Sequence, residues 1–180
     1  MFGWKMSVET NTHNQYDVIE VAAVRIELDG ELKVKEMFHR YYLSRYPVNF
    51  HSFNVHKLTP ELILEHRNKN EIKYPAYFKE DEEFAQFCKG ANTLVAHNIS
   101  FELRHCEKIV KFENHFCTMK ENKHIVKALN KNGAIKNPKL DETCNFYGIN
   151  FDQNAYHSAT YDVSKCYEIL KCMREKKLIQ

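Results

Sequence analysis

The sequence predicts an α/β fold in which a mixed β-sheet is flanked by α-helices. The first quarter of the chain is rich in β-forming residues, and apolar and polar side chains alternate within residues 18–28. A short apolar run at 93–96 precedes a segment with helical spacing, and the end of the chain carries a long apolar helical face. A first part made of strands, a middle part in which a strand is followed by a helix, and a helical end together indicate this fold class.

The first three strands are predicted at residues 4–10, 18–28 and 31–43. Asp29-Gly30 is a compact turn signal between the second and third of them. The pattern therefore predicts a meander of about three strands.

An aromatic and histidine-rich stretch at 46–56 is predicted to be irregular. Thr59 followed by Pro60 predicts the cap and first position of a short helix. A second helix is predicted at 80–89, with Phe84, Phe87 and Cys88 on one side.

Residues 93–96 and 101–110 are predicted to form a strand and a helix joined by a polar turn, because Phe101, Cys106 and Ile109 have helical spacing. Helical patterns dominate from Lys120 onward, around a polar loop at 130–138. One face of the last helix collects five apolar side chains: Val163, Cys166, Ile169, Leu170 and Met173. No repeat or linker is visible, so one domain over residues 1–180 is predicted.

Composition limits the classes of function. The net charge of +2 is compatible with a polyanionic partner but does not indicate one alone. Six cysteines without a CxxC pair, and an N-terminus without a signal-peptide pattern, predict a reduced, intracellular, cytoplasmic protein. No stretch approaches the roughly 20 apolar residues that span a bilayer, so no membrane role is expected.

Acidic side chains stand at the ends of predicted elements in three segments. Ser7 and Glu9 are two residues apart on a strand and therefore share a face. Glu102 falls in the first turn of a helix and Asp162 in the first turns of another. On one helix His157 and Asp162 would lie about 140° apart, so His157 is placed on the preceding loop, where it suits a general base.

In order and spacing, these segments resemble the three motifs of the DnaQ-like (DEDDh) 3′-to-5′ exonucleases, which have a ribonuclease H-like fold and include the DNA polymerase III epsilon type. The resemblance runs from Ser7 to Met173. The segment His157-Ser158-Ala159 followed by Asp162 indicates the DEDDh branch, since the sister branch has Tyr where Ser158 stands. Four further fragments match: 17–24 resembles the second strand, 55–59 the His-Gly-Ile-Thr turn, 94–98 the entry to the second motif, and Cys117-Thr118 a strand ending in Thr.

The resemblance implies hydrolysis of phosphodiester bonds at the 3′ end of single-stranded DNA or RNA by two Mg²⁺ or Mn²⁺ ions. It implies that His157 is the general base, with Glu9 also in the catalytic set. The implied metal ligands are Glu9, Glu102, Asp162 and the position of Ser7, and the implied substrate contacts are Thr10, His97, Asn98 and Phe101. A polymerase subunit is a further candidate partner.

Two ligand positions depart from the family pattern. Ser7 replaces an Asp, which removes a full negative charge, and Glu102 replaces an Asp with a side chain one methylene longer. Asn11-Thr12-His13 also replaces the usual Thr-Gly-Leu beside the terminal nucleotide. Three explanations stay open: a divergent enzyme, a catalytically silent module that binds nucleic acid or a polymerase, or an Asp replaced by Ser in this chain.

Four lysines, Lys120, Lys123, Lys127 and Lys131, recur at helical spacing. They predict a basic stripe on one helix face. A solvated face is the favoured interpretation, and contact with phosphates is the alternative.

Overall fold

Six strands form three separate pairs within the part of the chain that the computed structural model describes, residues 8–10, 16–27, 32–47, 50–70, 72–153, 155 and 158–179. The strands are β1 (Val8–Thr10), β2 (Tyr16–Val18), β3 (Glu20–Glu27), β4 (Lys33–Tyr41), β5 (Thr93–Ala96) and β6 (Asn114–Cys117).

Helices surround these strands. They are α1 (Phe50–His56), α2 (Pro60–Asn68), α3 (Glu82–Cys88), α4 (Ile99–Cys106), α5 (Thr118–Glu121), α6 (Lys123–Val126), α7 (Leu140–Tyr147) and α8 (Ala159–Glu175), with a short 3₁₀ helix at Phe78–Glu80.

The N-terminal strands are antiparallel, as the predicted meander requires. β1 pairs with β2, where Glu9 lies opposite Asp17, and β3 pairs with β4. The predicted strand at 18–28 is divided, because Val18 ends β2 and Glu20 begins β3. The Asp29-Gly30 turn and the start of the first predicted strand lie outside the described residues.

β5 and β6 are parallel and joined by α4, which confirms the predicted strand and helix. Thr93 pairs with Asn114 and Ala96 with Cys117, so the carboxyl ends of both strands lie side by side. The segments that leave these two strands therefore start from the same edge, the arrangement that places functional side chains in α/β folds.

β3 is buried on both faces. Val21 and Ala23 belong to a core cluster with α3 and α4, whereas Ala22 and Val24 belong to a second cluster with α8. All five apolar residues predicted for one face of the last helix are buried in α8. Each such side chain contributes about 1.5 to 3 kcal/mol relative to exposure.

The helix that starts at Pro60 is confirmed with its cap: the Leu62 amide donates to Thr59 Oγ1 at 3.1 Å. The helix predicted at 80–89 is confirmed as α3, with Phe84 and Cys88 buried. The helix predicted at 101–110 is shifted: α4 begins at Ile99 and ends at Cys106, where the amides of the next residues close a turn.

The prediction that residues 46–56 are irregular is wrong for their second half, which forms α1. The helix ends at His56, and the next residue, Lys57, has a left-handed φ of 58°. Lys57 occupies the Gly position of the resembled His-Gly-Ile-Thr turn, and glycine adopts that conformation at no steric cost. The turn is held by the Leu58 amide, which donates to His56 Nδ1 at 2.9 Å.

The predicted lysine stripe does not lie on one helix face. Lys120 belongs to α5 and Lys123 to α6, and Lys127 ends α6 with a left-handed φ of 53°. Lys131 follows in a turn. The spacing was misleading because the backbone leaves the helix between the second and fourth lysines.

All six cysteines carry free thiols. Within the described ranges, no helix has the length and apolar character needed to cross a membrane.

Candidate active site

Glu102 lies at the edge formed by the ends of β5 and β6. Asn98 is the residue before the first turn of α4, and Glu102 follows within that turn. The Glu102 side chain is buried, with only 6% of the residue exposed. It therefore faces the protein interior at the point where the strands end.

Asp162 reaches the same region from the other end of the sequence. It lies in the first turn of α8 and is half-buried, and Cys166 follows one helical turn later on the same side. Burial raises the pKa of the Cys166 thiol to about 12, and the charges of Glu102 and Asp162 add to this shift. Cys166 Sγ lies within 3.7 Å of Thr118 Oγ1, so the first turns of α8 lie near the end of β6, beside the strand end from which α4 and Glu102 start.

A chain of hydrogen bonds fixes the elements behind the two acids. Thr118 Oγ1 lies 3.7 Å from Cys166 Sγ and 3.0 Å from His97 Nδ1. His97 Nε2 lies 3.1 Å from the Pro138 carbonyl oxygen. The chain thus connects α8, the ends of β6 and β5, and the loop before α7.

His97 is neutral near pH 7 because burial lowers its pKa to about 4. The Pro138 carbonyl can only accept a hydrogen bond, so the ring proton is on Nε2. Nδ1 then accepts from the Thr118 hydroxyl. Both ring nitrogens are used inside the protein, and the predicted contact of His97 with substrate stays a prediction.

The other predicted site residues are placed as follows. Asn98 is exposed at the start of α4. Phe101 is half-buried against the core, with its ring 5.2 Å from that of His105. Glu9 and Thr10 lie in β1, and the structure describes only their backbone. Ser7 and His157 lie outside the described residues.

Several residues of this region were not singled out by sequence patterns. Cys166 was assigned only to an apolar face, and Pro138 only to a polar loop. Asp17, opposite Glu9 in the β1 and β2 pair, is 5% exposed and accepts from the Arg45 amide at 2.7 Å. An acidic residue inside an otherwise apolar strand was the available signal for Asp17.

The donor atoms present suit a hard divalent cation. Glu102 and Asp162 offer carboxylate oxygens, the ligands that Mg²⁺ and Mn²⁺ prefer. Within the described part of the chain, no group of three or more His, Cys, Asp or Glu side chains is arranged to hold a metal. The side chain of Glu9, a further predicted ligand, is not among those that the structure describes.

The sequence model of the exonuclease family named after RNase T matches residues 7–170. No curated protein sequence matches the chain significantly.

Solved structures similar to the chain include nucleases with bound nucleic acid or nucleotide. Exonuclease X in complex with 5′ overhanging duplex DNA has a TM-score of 0.63 and 16% identity, over 97% of this chain and 92% of that one. The nuclease domain of 3′hExo, a DEDDh family member bound to rAMP, has a TM-score of 0.64 and 13% identity, over 97% and 90%. E. coli Exonuclease I in complex with a dT13 oligonucleotide has a TM-score of 0.67 and 13% identity, over 98% of this chain but only 42% of that one. At these identities the matches confirm the predicted ribonuclease H-like α/β fold.

Proposed function

Because the chain belongs to the RNase T exonuclease family, we propose that it hydrolyses phosphodiester bonds at the 3′ end of single-stranded DNA or RNA with Mg²⁺ or Mn²⁺. One observation carries the proposal: Glu102 is buried in the first turn of α4, at the ends of β5 and β6, and Asp162 lies in the first turn of α8, whose Cys166 is 3.7 Å from Thr118 at the end of β6. Two carboxylates gathered at the ends of parallel strands are the beginning of a cation site for phosphate chemistry.

Glu9, Glu102 and Asp162 are the proposed ligands. Bound cations would stabilise charge on the phosphate and lower the pKa of an attacking water. Ser7 would contribute a neutral hydroxyl where the family pattern has a carboxylate. The proposed site therefore has one negative charge fewer than the pattern, and we expect weaker cation binding.

The proposed general base is His157, which precedes Ser158, the residue before the first turn of α8. A histidine of ordinary pKa is largely neutral at pH 7 to 8 and accepts the proton of the attacking water. Asp162 comes one turn later in the chain. We further propose that Thr10, His97, Asn98 and Phe101 position the terminal nucleotide.

The similar structures support nucleic acid as the substrate class. Exonuclease X was solved with duplex DNA bearing an overhang, and Exonuclease I with a single-stranded oligonucleotide. Both share the fold of this chain over almost its entire length.

Ser7 favours a second candidate function: a silent module that binds nucleic acid or a polymerase without cutting. The loss of a carboxylate weakens a site that must hold two divalent cations. This candidate keeps the affinity for nucleic acid but predicts no cleavage in either metal.

An end-label experiment tests the proposal. With an oligonucleotide labelled at its 5′ end, removal of nucleotides from the 3′ end gives a ladder of progressively shorter labelled products that requires Mg²⁺ or Mn²⁺ and stops with EDTA. Immediate release of a labelled mononucleotide would contradict the direction of hydrolysis. Binding without any degradation would select the silent module.

A further inference from the structure

An ordered turn rich in lysine lies between the second and third acidic segments. We propose that this turn, residues 127–136 and here termed the lysine hairpin, binds the phosphates of the nucleic-acid strand upstream of its 3′ end. The inference rests on the proposed function for the identity of the strand. It assigns Lys127 and Lys131 the role of phosphate ligands outside the acidic site.

The lysine hairpin has a fixed shape. The Asn130 amide donates to the Ala134 carbonyl at 2.9 Å, and the Lys136 amide donates to the Ala128 carbonyl at 2.8 Å. The Asn130 side chain also accepts from the amides of Asn132 and Ala134, at 2.9 and 3.0 Å. Since the backbone is already ordered, little conformational entropy is lost when a strand binds.

The base of the lysine hairpin is anchored beside the acidic site. Pro138 follows the hairpin by two residues and accepts from His97 Nε2 at 3.1 Å. His97 directly follows β5. Asn98 comes next and is followed by α4, which carries Glu102. The end of the hairpin is held by an ion pair, in which Lys136 Nζ lies 2.6 Å from Glu142 Oε1 of α7.

The charge of this segment favours a polyanion. Residues 120–139 contain six lysines and one acidic residue, Glu121. Lys136 is neutralised by Glu142. Lys127 and Lys131 are exposed and form no ion pair with a residue that the structure describes. Two positive charges are therefore available to phosphates on a preformed element.

Exposed apolar side chains flank these charges. Leu129 and Ile135 face each other across the hairpin and are 59% and 41% exposed. They give the hairpin a surface that is partly apolar and partly positively charged. The combination matches a single strand better than a small anion.

The number of phosphates in the strand sets the substrate length that the lysine hairpin can sense. A dinucleotide has a single internucleotide phosphate, which the proposed cation site would hold. Only a longer strand presents further phosphates to Lys127 and Lys131, so we expect a dinucleotide not to contact the hairpin.

The test is oligonucleotide binding by the full chain as a function of salt, measured by fluorescence anisotropy in EDTA. For the double variant Lys127→Gln, Lys131→Gln, we expect the slope of log affinity against log salt to become shallower by about 1.4, because each single-strand phosphate contact contributes about 0.7. At 0.1 M salt this corresponds to a loss of affinity on the order of tenfold or more. Affinity for a dinucleotide should not change.

The matched control is Lys108→Gln, Lys111→Gln. Both lysines are exposed and lie before the start of β6, at the opposite end of that strand from the acidic site. The control makes the same change in net charge, and we expect it to leave the salt slope within about 0.3 of the parent chain. Thermal melting checks that each variant is folded.

An unchanged slope in the Lys127, Lys131 variant, an equal change in the control, or no binding by the parent chain would overturn the lysine hairpin as a phosphate site. The degradation experiment is read separately. If the parent chain fails to cut while the slope changes as expected, the proposed hydrolysis fails and the lysine hairpin stands. If it cuts while the slope is unchanged, only the lysine hairpin fails.

Discussion

Among single residues, His97 connects the segments behind the candidate site. Its ring bridges the Thr118 hydroxyl and the Pro138 carbonyl at 3.0 and 3.1 Å, and the same loop leads from the lysine hairpin into α7. Burial holds its pKa near 4, so the bridge depends on a neutral ring with its proton on Nε2. Protonation would put a second proton on Nδ1 and reverse the hydrogen bond to Thr118.

This ionisation predicts a pH dependence of stability. The folded pKa of His97 is about 4, below the unfolded value near 6.5, so the unfolded chain binds more protons between these values. The free energy of unfolding should fall as the pH drops through this window, by about 2 kcal/mol at pH 5 from His97 alone. In urea titrations at pH 7 and pH 5, His97→Gln should show a smaller loss than the parent chain.

Exposed His115 supplies the matched control. His115→Gln should retain the pH dependence of the parent. His105 accounts for a further part of the same loss. Burial and, after it, the charges of Arg104 and Lys79 lower the pKa of His105 to about 4. An unchanged pH dependence in His97→Gln would contradict the neutral bridge.

At the scale of elements, the buried carboxylate of Asp81 connects the start of α3 to β4. Asp81 is 2% exposed and caps α3 by accepting from the Glu83 amide at 3.1 Å. It also accepts from Arg40 Nη1 at 2.6 Å and from the Tyr42 hydroxyl at 2.7 Å. One side chain thus satisfies a helix end, a buried guanidinium and a buried phenol.

Asp81→Ala should lower the free energy of unfolding by about 3 to 5 kcal/mol, because it leaves the guanidinium of Arg40 buried with an incomplete partner set. Glu83 also pairs with Arg40, but its side chain is 62% exposed. Glu83→Ala should therefore cost about 1 kcal/mol or less. Urea denaturation of both variants measures the difference, and similar losses for the two would contradict the assignment of Asp81 as the main anchor.

Elements with strong local signals were predictable from the sequence. The Thr59 cap, β5 and the buried face of α8 follow from capping chemistry and periodicity, which depend on neighbouring residues. α1 and the turn at Lys57 were not predictable, because a lysine held at a positive φ depends on its surroundings. The lysine stripe failed for the same reason: residue spacing does not show where a backbone leaves the helix.

The candidate site was predictable in part. The order of Glu102 and Asp162 along the chain predicts that both belong to one site, and this stays a prediction, although Thr118 at the end of β6 lies 3.7 Å from Cys166, one turn after Asp162. The bridge through Thr118, His97 and Pro138 joins residues 21 and 41 positions apart. No local pattern encodes such contacts, so only the folded chain shows what holds the acids in place.

For the whole molecule, family and fold agree on a nuclease framework. The family match covers residues 7–170, and the structural matches extend over almost the entire chain. The bridge through Thr118, His97 and Pro138 lies at the carboxyl ends of β5 and β6, and Pro138 connects the segment after the lysine hairpin to it. If this region is catalytic, its carboxylates should control hydrolysis, whereas equally charged groups elsewhere should not.

The most direct measurement is the rate at which 5′-labelled single-stranded DNA and RNA are shortened in Mg²⁺ and in Mn²⁺. It compares the chain with Asp162→Ala, Ser7→Asp and a control, Glu175→Ala, at the exposed far end of α8. We predict that Asp162→Ala lowers the rate by about 100-fold or more, since even changes behind metal ligands cost about 10- to 100-fold. Ser7→Asp should raise the rate by restoring a carboxylate, and Glu175→Ala should leave it unchanged. Equal rates for the parent chain and Asp162→Ala, or no cleavage by the parent and Ser7→Asp alike, would contradict a catalytic site at Glu102 and Asp162.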